Sequence, residues 1–148
     1  MRIIDRLKKK ENTLSFEVFP PKPEGNVEAI KEAVDKIASL NPSYMSVTYG
    51  AGGGNSKNTI DIAKAVQSRG VTALAHLTCV TAKKDVISKR LSELKNAGIE
   101  NVLALRGDKP KGYTDDMQGD YMYASELIED IKRQGDFCIG AACYPEGH

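Results

Sequence analysis

Glu17 lies in Ser15-Phe16-Glu17-Val18-Phe19-Pro20-Pro21, a short apolar run that ends on two prolines. Proline cannot donate to a sheet ladder and fixes the exit of the chain, so the run reads as a buried strand. A carboxylate in such a run is costly to bury unless it points out of the strand end into a polar cleft. There it would serve as a general acid whose proton is held by apolar neighbours; the plain alternative is a solvent-facing strand glutamate. Arg106-Gly107-Asp108 closes a second apolar run, Val102-Leu103-Ala104-Leu105. Its arginine and aspartate either pair with each other at the surface or face a ligand. In the second case the arginine meets an anionic or carbonyl group and the aspartate meets donors. His76 ends a third run, where a ligand contact and a structural role are both open. With several tyrosines, this set suits binding a flat, polar-edged heterocycle and protonating it, the electron chemistry being left to a cofactor.

Other chemistries fit less well. Gly50-Ala51-Gly52-Gly53-Gly54-Asn55 follows a strand and precedes a helix, but Asn55 stands where a dinucleotide fingerprint has its third glycine. No Gly-Lys-Ser/Thr triplet follows, so the segment reads as a turn that lets a ligand or moving loop approach the backbone. No lysine lies within an apolar strand body, against a Schiff-base enzyme, and no Ser-His-Asp or Cys-His arrangement stands out. Cys79, Cys138 and Cys143 are odd in number and flank apolar runs, as small buried thiols in a reducing cytosol do. His76 and Cys79 have the spacing of half a metal site, but no second pair accompanies them, and no metal is expected.

The elements that must position these residues alternate along the chain. Strands are expected at Leu14 to Phe19, Tyr44 to Tyr49, Thr72 to Leu77, Asn101 to Leu105 and Cys138 to Ala142. Helices are expected at Val27 to Leu40, Thr59 to Gln67, Lys84 to Asn96 and Ala124 to Arg133, with Gly70 and Gly98 just past helix ends. Strand starts at Leu14, Tyr44, Thr72 and Asn101 recur every 28 to 30 residues, the spacing of βα units. The strands are near-continuous apolar runs, as in a parallel sheet covered on both faces. An open doubly wound sheet would gather its chemistry at one switch point, whereas here polar and glycine-rich residues follow every strand. That pattern suits a (βα)₈ TIM barrel, which needs about 250 residues. The 148 residues therefore read as a single α/β partial domain, 1–148: four βα units and a fifth strand, with the rest of the barrel absent.

The composition is that of an ordinary globular protein, 41% hydrophobic and 28% charged, with a net charge of +1. No field of one sign points to nucleic acid, and no run is long enough for a membrane span or a signal peptide, so the expected location is cytoplasmic. Lys8-Lys9-Lys10 reads as the solvated face of a first helix with Ile3, Ile4 and Leu7 on its other side.

Six motifs occur in order: Phe16-Glu17-Val18-Phe19-Pro20-Pro21, Ser46-Val47-Thr48-Tyr49-Gly50-Ala51-Gly52, His76-Leu77-Thr78-Cys79, Ala104-Leu105-Arg106-Gly107-Asp108, Tyr123-Ala124-Ser125 and Ala142-Cys143-Tyr144-Pro145-Glu146-Gly147-His148. Together they resemble the N-terminal part of the 5,10-methylenetetrahydrofolate reductases. The resemblance implies a flavoprotein on a (βα)₈ barrel that holds FAD non-covalently at the C-terminal ends of its strands. It implies that NAD(P)H reduces the flavin and that methylenetetrahydrofolate then takes the hydride to become methyltetrahydrofolate, a step of one-carbon metabolism and methionine biosynthesis. On this likeness Glu17 matches the acid that assists opening of the folate's five-membered ring, and Asp108 the aspartate beside the flavin. Thr48, Tyr49, His76, Arg106, Gly107, Asp108, Tyr123, Ala124, Ser125, Tyr144 and His148 fall on cofactor-contacting positions.

Tyr121 and Glu126 depart from the phenylalanine and aspartate usual at their places. The family's later strands carry further FAD and folate contacts, so a chain of this extent is expected to come without flavin and without reductase activity. Unpaired strands at both ends of half a barrel lead us to expect a homo-oligomer. The alternative from another class is a non-catalytic half-barrel that folds, associates and at most binds a ligand.

Overall fold

A computed structural model describes residues 1–9, 11–21, 25–49 and 56–146, the side chains of residues 56 and 57 excepted. Five strands alternate with helices: α1 Ile3–Leu7, β1 Ser15–Val18, α2 Val27–Ala38, β2 Tyr44–Val47, α3 Ser56–Ser68, β3 Thr72–Thr78, α4 Lys84–Asn96, β4 Asn101–Leu105, α5 Ala124–Gln134 and β5 Cys138–Ala141. A short 3₁₀ turn, Asp115–Met117, precedes α5. Every expected element is present. The bounds of α4 and β4 are those read from the sequence, while β1, β2 and β5 stop one or two residues earlier, where pairing ends.

The strands form one sheet in the order β1-β2-β3-β4-β5, each parallel to its neighbour. A doubly wound sheet reverses its strand order at a switch point; consecutive order without reversal is the arrangement of a barrel wall. This parallel βα fold is consistent with part of a TIM barrel.

Helix signals in the sequence have structural counterparts. The Asn26 side chain accepts from the amides of Glu28 at 2.9 Å and Ala29 at 3.4 Å, capping α2. Gly70 and Gly98 take φ of +78° and +70°, ending α3 and α4 in the left-handed conformation that glycine adopts without strain.

Register sorts the strand residues into two faces. Val18, Val47, Ala75 and Val102 lie in one row, and with Met45 and Ala73 they pack into the buried core that also holds Val34, Ile62, Ile87 and Leu127 from the helices. The other face carries the row Glu17, Ser46, Leu74, Asn101 and Cys138, and beside it His76, Leu103 and Gly140. The strands are thus not apolar on both faces, as their sequence suggested. The helix-covered face is apolar and the opposite one is mixed.

α1 also departs from expectation. Ile4 and Leu7 remain 43% and 49% exposed, so the helix is not held by an apolar stripe. It docks through polar contacts at the N-terminal ends of the strands. Ile3 N donates to Asn101 Oδ1 at 2.8 Å, and Asn101 Nδ2 donates to the carbonyls of Met1 and Ala73, each at 3.2 Å. The Met1 ammonium meets Glu100 at 3.0 Å, Arg2 meets Asp136 at 2.7 Å, and Arg6 donates to Ser43 at 3.2 Å. Among the described residues no helix is long and apolar enough to cross a membrane.

Candidate active site at the C-terminal ends of the strands

Alternation along β1 sends Phe16 and Val18 to the helix side and leaves Glu17 on the mixed face. The apolar surroundings expected for its carboxylate are therefore absent. The side chain is 45% exposed, and its Oε2 accepts from the Ser46 hydroxyl across the sheet at 3.1 Å. His76 Nε2 lies 3.4 Å from the same oxygen but makes no hydrogen bond to it, and among the described residues this buried nitrogen has no hydrogen-bond partner. Burial holds the His76 imidazole below its ordinary pKa, and the Glu17 carboxylate pulls weakly the other way. The ring is neutral at pH 7.

A second group gathers where β4, β5 and the start of α5 meet. A cavity of about 510 Å³ is lined by Arg106, Gly107, Asp108, Tyr123, Ala124, Ser125, Ile128 and Tyr144, among others. Gly107 takes φ of +80°, and a Cβ there would meet Thr78 Cβ at 3.0 Å. Only glycine lets the backbone turn at this point and keeps the floor of the cavity low. Arg106 and Asp108 make no ion pair with each other among the described residues, and both line this cavity. The carbonyl of Arg106 accepts from the amides of Cys79 at 3.2 Å and Val80 at 2.8 Å, tying the strand-four loop to the strand-three loop. Tyr123 is fixed at the start of α5, where Glu126 accepts from the amides of Met122 at 2.6 Å and Tyr123 at 3.3 Å. The longer reach of Glu126 thus serves a cap and not the cavity.

A larger hollow of about 720 Å³ adjoins the first across Leu105, Gly107 and Asp108 and takes in Tyr49, Thr78, Lys83, Lys109 and Lys111. The structure thus brings seven of the expected cofactor positions together around one cavity, sets Tyr49 at its neighbour, and places His76 with Glu17. Thr48 lines neither; its carbonyl accepts from Thr59 at 3.0 Å and its amide donates to Val18 at 3.0 Å. His148 and the loop Gly50 to Asn55 lie outside the described residues. Among the described residues no cluster of three histidine, cysteine or acidic side chains is arranged for a metal. Ser46 went unnoticed in the sequence, although a serine two residues from Tyr44 and Thr48 has the period that would put it on the mixed face.

Comparison with known proteins bears on this arrangement. A family model described as methylenetetrahydrofolate reductase matches residues 2–148. The chain belongs to that family. A 5,10-methylenetetrahydrofolate reductase of Pectobacterium carotovorum subsp. carotovorum is 39% identical over 138 residues, covering 91% of this chain and 44% of its own length. That of Escherichia coli strain K12 is 39% identical over 136 residues, with 91% and 45% covered. Methylenetetrahydrofolate reductase (NADH) 1 of Arabidopsis thaliana is 38% identical over 157 residues, with 100% and 26% covered. The chain thus spans less than half the length of these curated relatives. Among solved structures, a Bombyx mori aldo-keto reductase in complex with NADP aligns at a TM-score of 0.51 and 14% identity, covering 87% of this chain and 46% of its own. The carboxyl transferase domain of Rhizobium etli pyruvate carboxylase aligns at 0.51 and 12%, covering 89% and 26%. At such identities the likeness is one of fold.

Proposed function

We propose that this methylenetetrahydrofolate reductase chain supplies the acid and the flavin-facing wall for FAD-dependent reduction of 5,10-methylenetetrahydrofolate to 5-methyltetrahydrofolate, with NAD(P)H as electron donor. The observation that carries the reading is the pairing of two features at one end of one sheet. A carboxylate is held by Ser46 beside a neutral His76, and a cavity is walled by Arg106, Gly107, Asp108 and Tyr123. Family membership gives that pairing its chemistry.

The cavity suits a flavin in several ways. Its volume is in the range of cofactor sites. The guanidinium of Arg106 and the hydroxyls of Ser125 and Tyr123 are donors for carbonyl or phosphate oxygens, Asp108 accepts from a ring N–H, and Gly107 adds no side chain to the floor. Tyr123, 59% exposed, offers a ring face on which a flat heterocycle can stack. When bound, FAD supplies the two-electron carrier between nicotinamide and folate. The protein's own share is orientation and proton supply. Glu17 protonates an amine nitrogen of the folate, and the carbon–nitrogen bond of the five-membered ring then opens to an electrophile that can accept hydride.

Glu17→Gln in the whole protein tests this. The amide keeps the size and the acceptor for Ser46 but has no proton to give. Folate reduction is expected to fall by about 10²–10⁴-fold while reduction of the flavin by the nicotinamide stays near its original rate. An equal fall in both half-reactions would mean that Glu17 is structural.

A further inference from the structure

We infer that Ser46 and His76 load one oxygen of Glu17, Oε2, with hydrogen-bond donors, so that the proton Glu17 gives up is carried on Oε1. The inference rests on the proposed role of Glu17 as an acid and adds which oxygen acts and which two residues select it.

Both contacts converge on a single atom: Ser46 Oγ at 3.1 Å and His76 Nε2 at 3.4 Å from Oε2. Among the described residues Oε1 has no hydrogen-bond partner. Ser46 donates, because its hydroxyl faces a carboxyl oxygen and both residues lie in one register row. His76 is buried and neutral, so it carries one N–H, placed on the nitrogen that faces an acceptor. Nε2 lies 3.4 Å from Oε2 and, among the described residues, makes no hydrogen bond elsewhere. A buried nitrogen left unpartnered is costly, and a shift of a few tenths of an ångström in the half-exposed Glu17 side chain closes the contact.

With two donors on Oε2, a proton on that same oxygen would crowd three hydrogens around one atom. The acid form therefore carries its hydrogen on Oε1, directed away from the sheet. In the transfer the Oε1–H bond breaks and leaves its electron pair on Glu17, while the lone pair of the substrate nitrogen takes the proton. The two donors on Oε2 remain and stabilise the carboxylate so formed, which eases release. Ser46 and His76 are positioning residues here, since they act through Glu17. On its face of the sheet His76 lies opposite Leu103 of β4, and the ionisable group beside it among the described residues is Glu17. Among the described residues Nε2 makes no hydrogen bond to any other group.

Two-bond ¹H–¹⁵N correlation of the imidazoles in this chain tests the assignment, because it has only two histidines and His148→Asn identifies the other. His76 is expected as the Nε2–H tautomer at pH 7. Glu17→Ala should lose that preference and should lower the pH at which His76 takes up a proton, because the carboxylate's pull is gone. Glu17→Gln, which keeps an acceptor oxygen, should retain the Nε2–H tautomer and show the same fall in midpoint; it also serves if the alanine variant does not fold. An Nδ1–H tautomer in the original chain, or a midpoint unmoved in both variants, would overturn the inference. No folate or flavin enters these measurements, so their failure is distinguishable from failure of the half-reaction test.

Discussion

Gly107 shows how much of the site rests on the absence of a side chain. At φ of +80° an L-residue is strained by about 1–2 kcal/mol, and a new Cβ would also meet Thr78 Cβ at 3.0 Å. Gly107→Ala is expected to lower stability by about 2–3 kcal/mol, measured by urea unfolding, and to raise the floor between Arg106 and Asp108. A loss below about 0.5 kcal/mol would show that the turn can relax. Cys79 makes the opposite point, that a reactive residue type can be inert in place. It is fully buried, its thiol donates to the Tyr123 carbonyl at 3.9 Å, and burial pushes its pKa up to about 11. A thiol reagent at pH 8 should therefore modify exposed Cys143 first and partly buried Cys138 more slowly, leaving Cys79 untouched until the chain unfolds. Mass spectrometry of the labelled chain would decide the order. Glu17 stood out in the sequence because a charge among apolar residues is conspicuous. Ser46 did not, because a small hydroxyl in a strand is ordinary until the register places it opposite a carboxylate.

Elements were legible wherever local chemistry fixes them. Apolar periodicity and the two glycines past helix ends gave helix bounds close to those seen, and βα spacing gave the strands; the Asn26 cap was not read from the sequence. What the sequence hid was long-range. α1 is held by Asn101, nearly a hundred residues away, and no local pattern announces such a bond. The Asn101 side chain is buried and makes three hydrogen bonds, one to Ile3 at the start of α1, one to the Met1 carbonyl ahead of that helix and one to Ala73 near the start of β3. Asn101→Ala should cost about 2–4 kcal/mol and should speed amide exchange at Ile3 far more than within β3. Equal exchange in both would mean that α1 docks by other means. The long loop before α5 was similarly unreadable, although its anchor is a glycine. A Cβ on Gly119 would meet the Ala82 carbonyl oxygen at 2.4 Å, and the neighbouring amide of Asp120 donates to that oxygen at 2.9 Å. The two loops that flank the site at β3 and β4 are thus pinned together by backbone.

At the scale of the molecule, sequence patterning pointed to consecutive parallel strands of a barrel wall more than to a doubly wound sheet, because polar residues follow every strand. The consecutive strand order is the physical counterpart of that pattern. The mixed face was less legible, since a single apolar or polar letter does not say which side of a sheet it occupies. Tyr121 ties these levels together. Its ring is buried in the core, and its hydroxyl donates to Asp130 of α5, so the loop from β4 and the helix that closes the cavity share one buried bond. Burial first, and then the Asp130 carboxylate, holds the phenol well above its ordinary pKa of 10.0. The folded state thus keeps a proton that the unfolded chain releases above about pH 10. The stabilisation is complete below that pH and is lost as pH rises towards the folded-state pKa. Cys79 adds a loss in the same direction, from its ordinary 9.0 upward through about 11. Tyr121→Phe removes the titrating hydroxyl along with its bond to Asp130. The variant should be less stable at pH 7 by about 1–3 kcal/mol, yet its stability should fall less steeply between pH 9 and 11. Denaturant unfolding of both proteins across that interval measures the two slopes. Parallel slopes would show that Tyr121 ionises no differently in the folded chain.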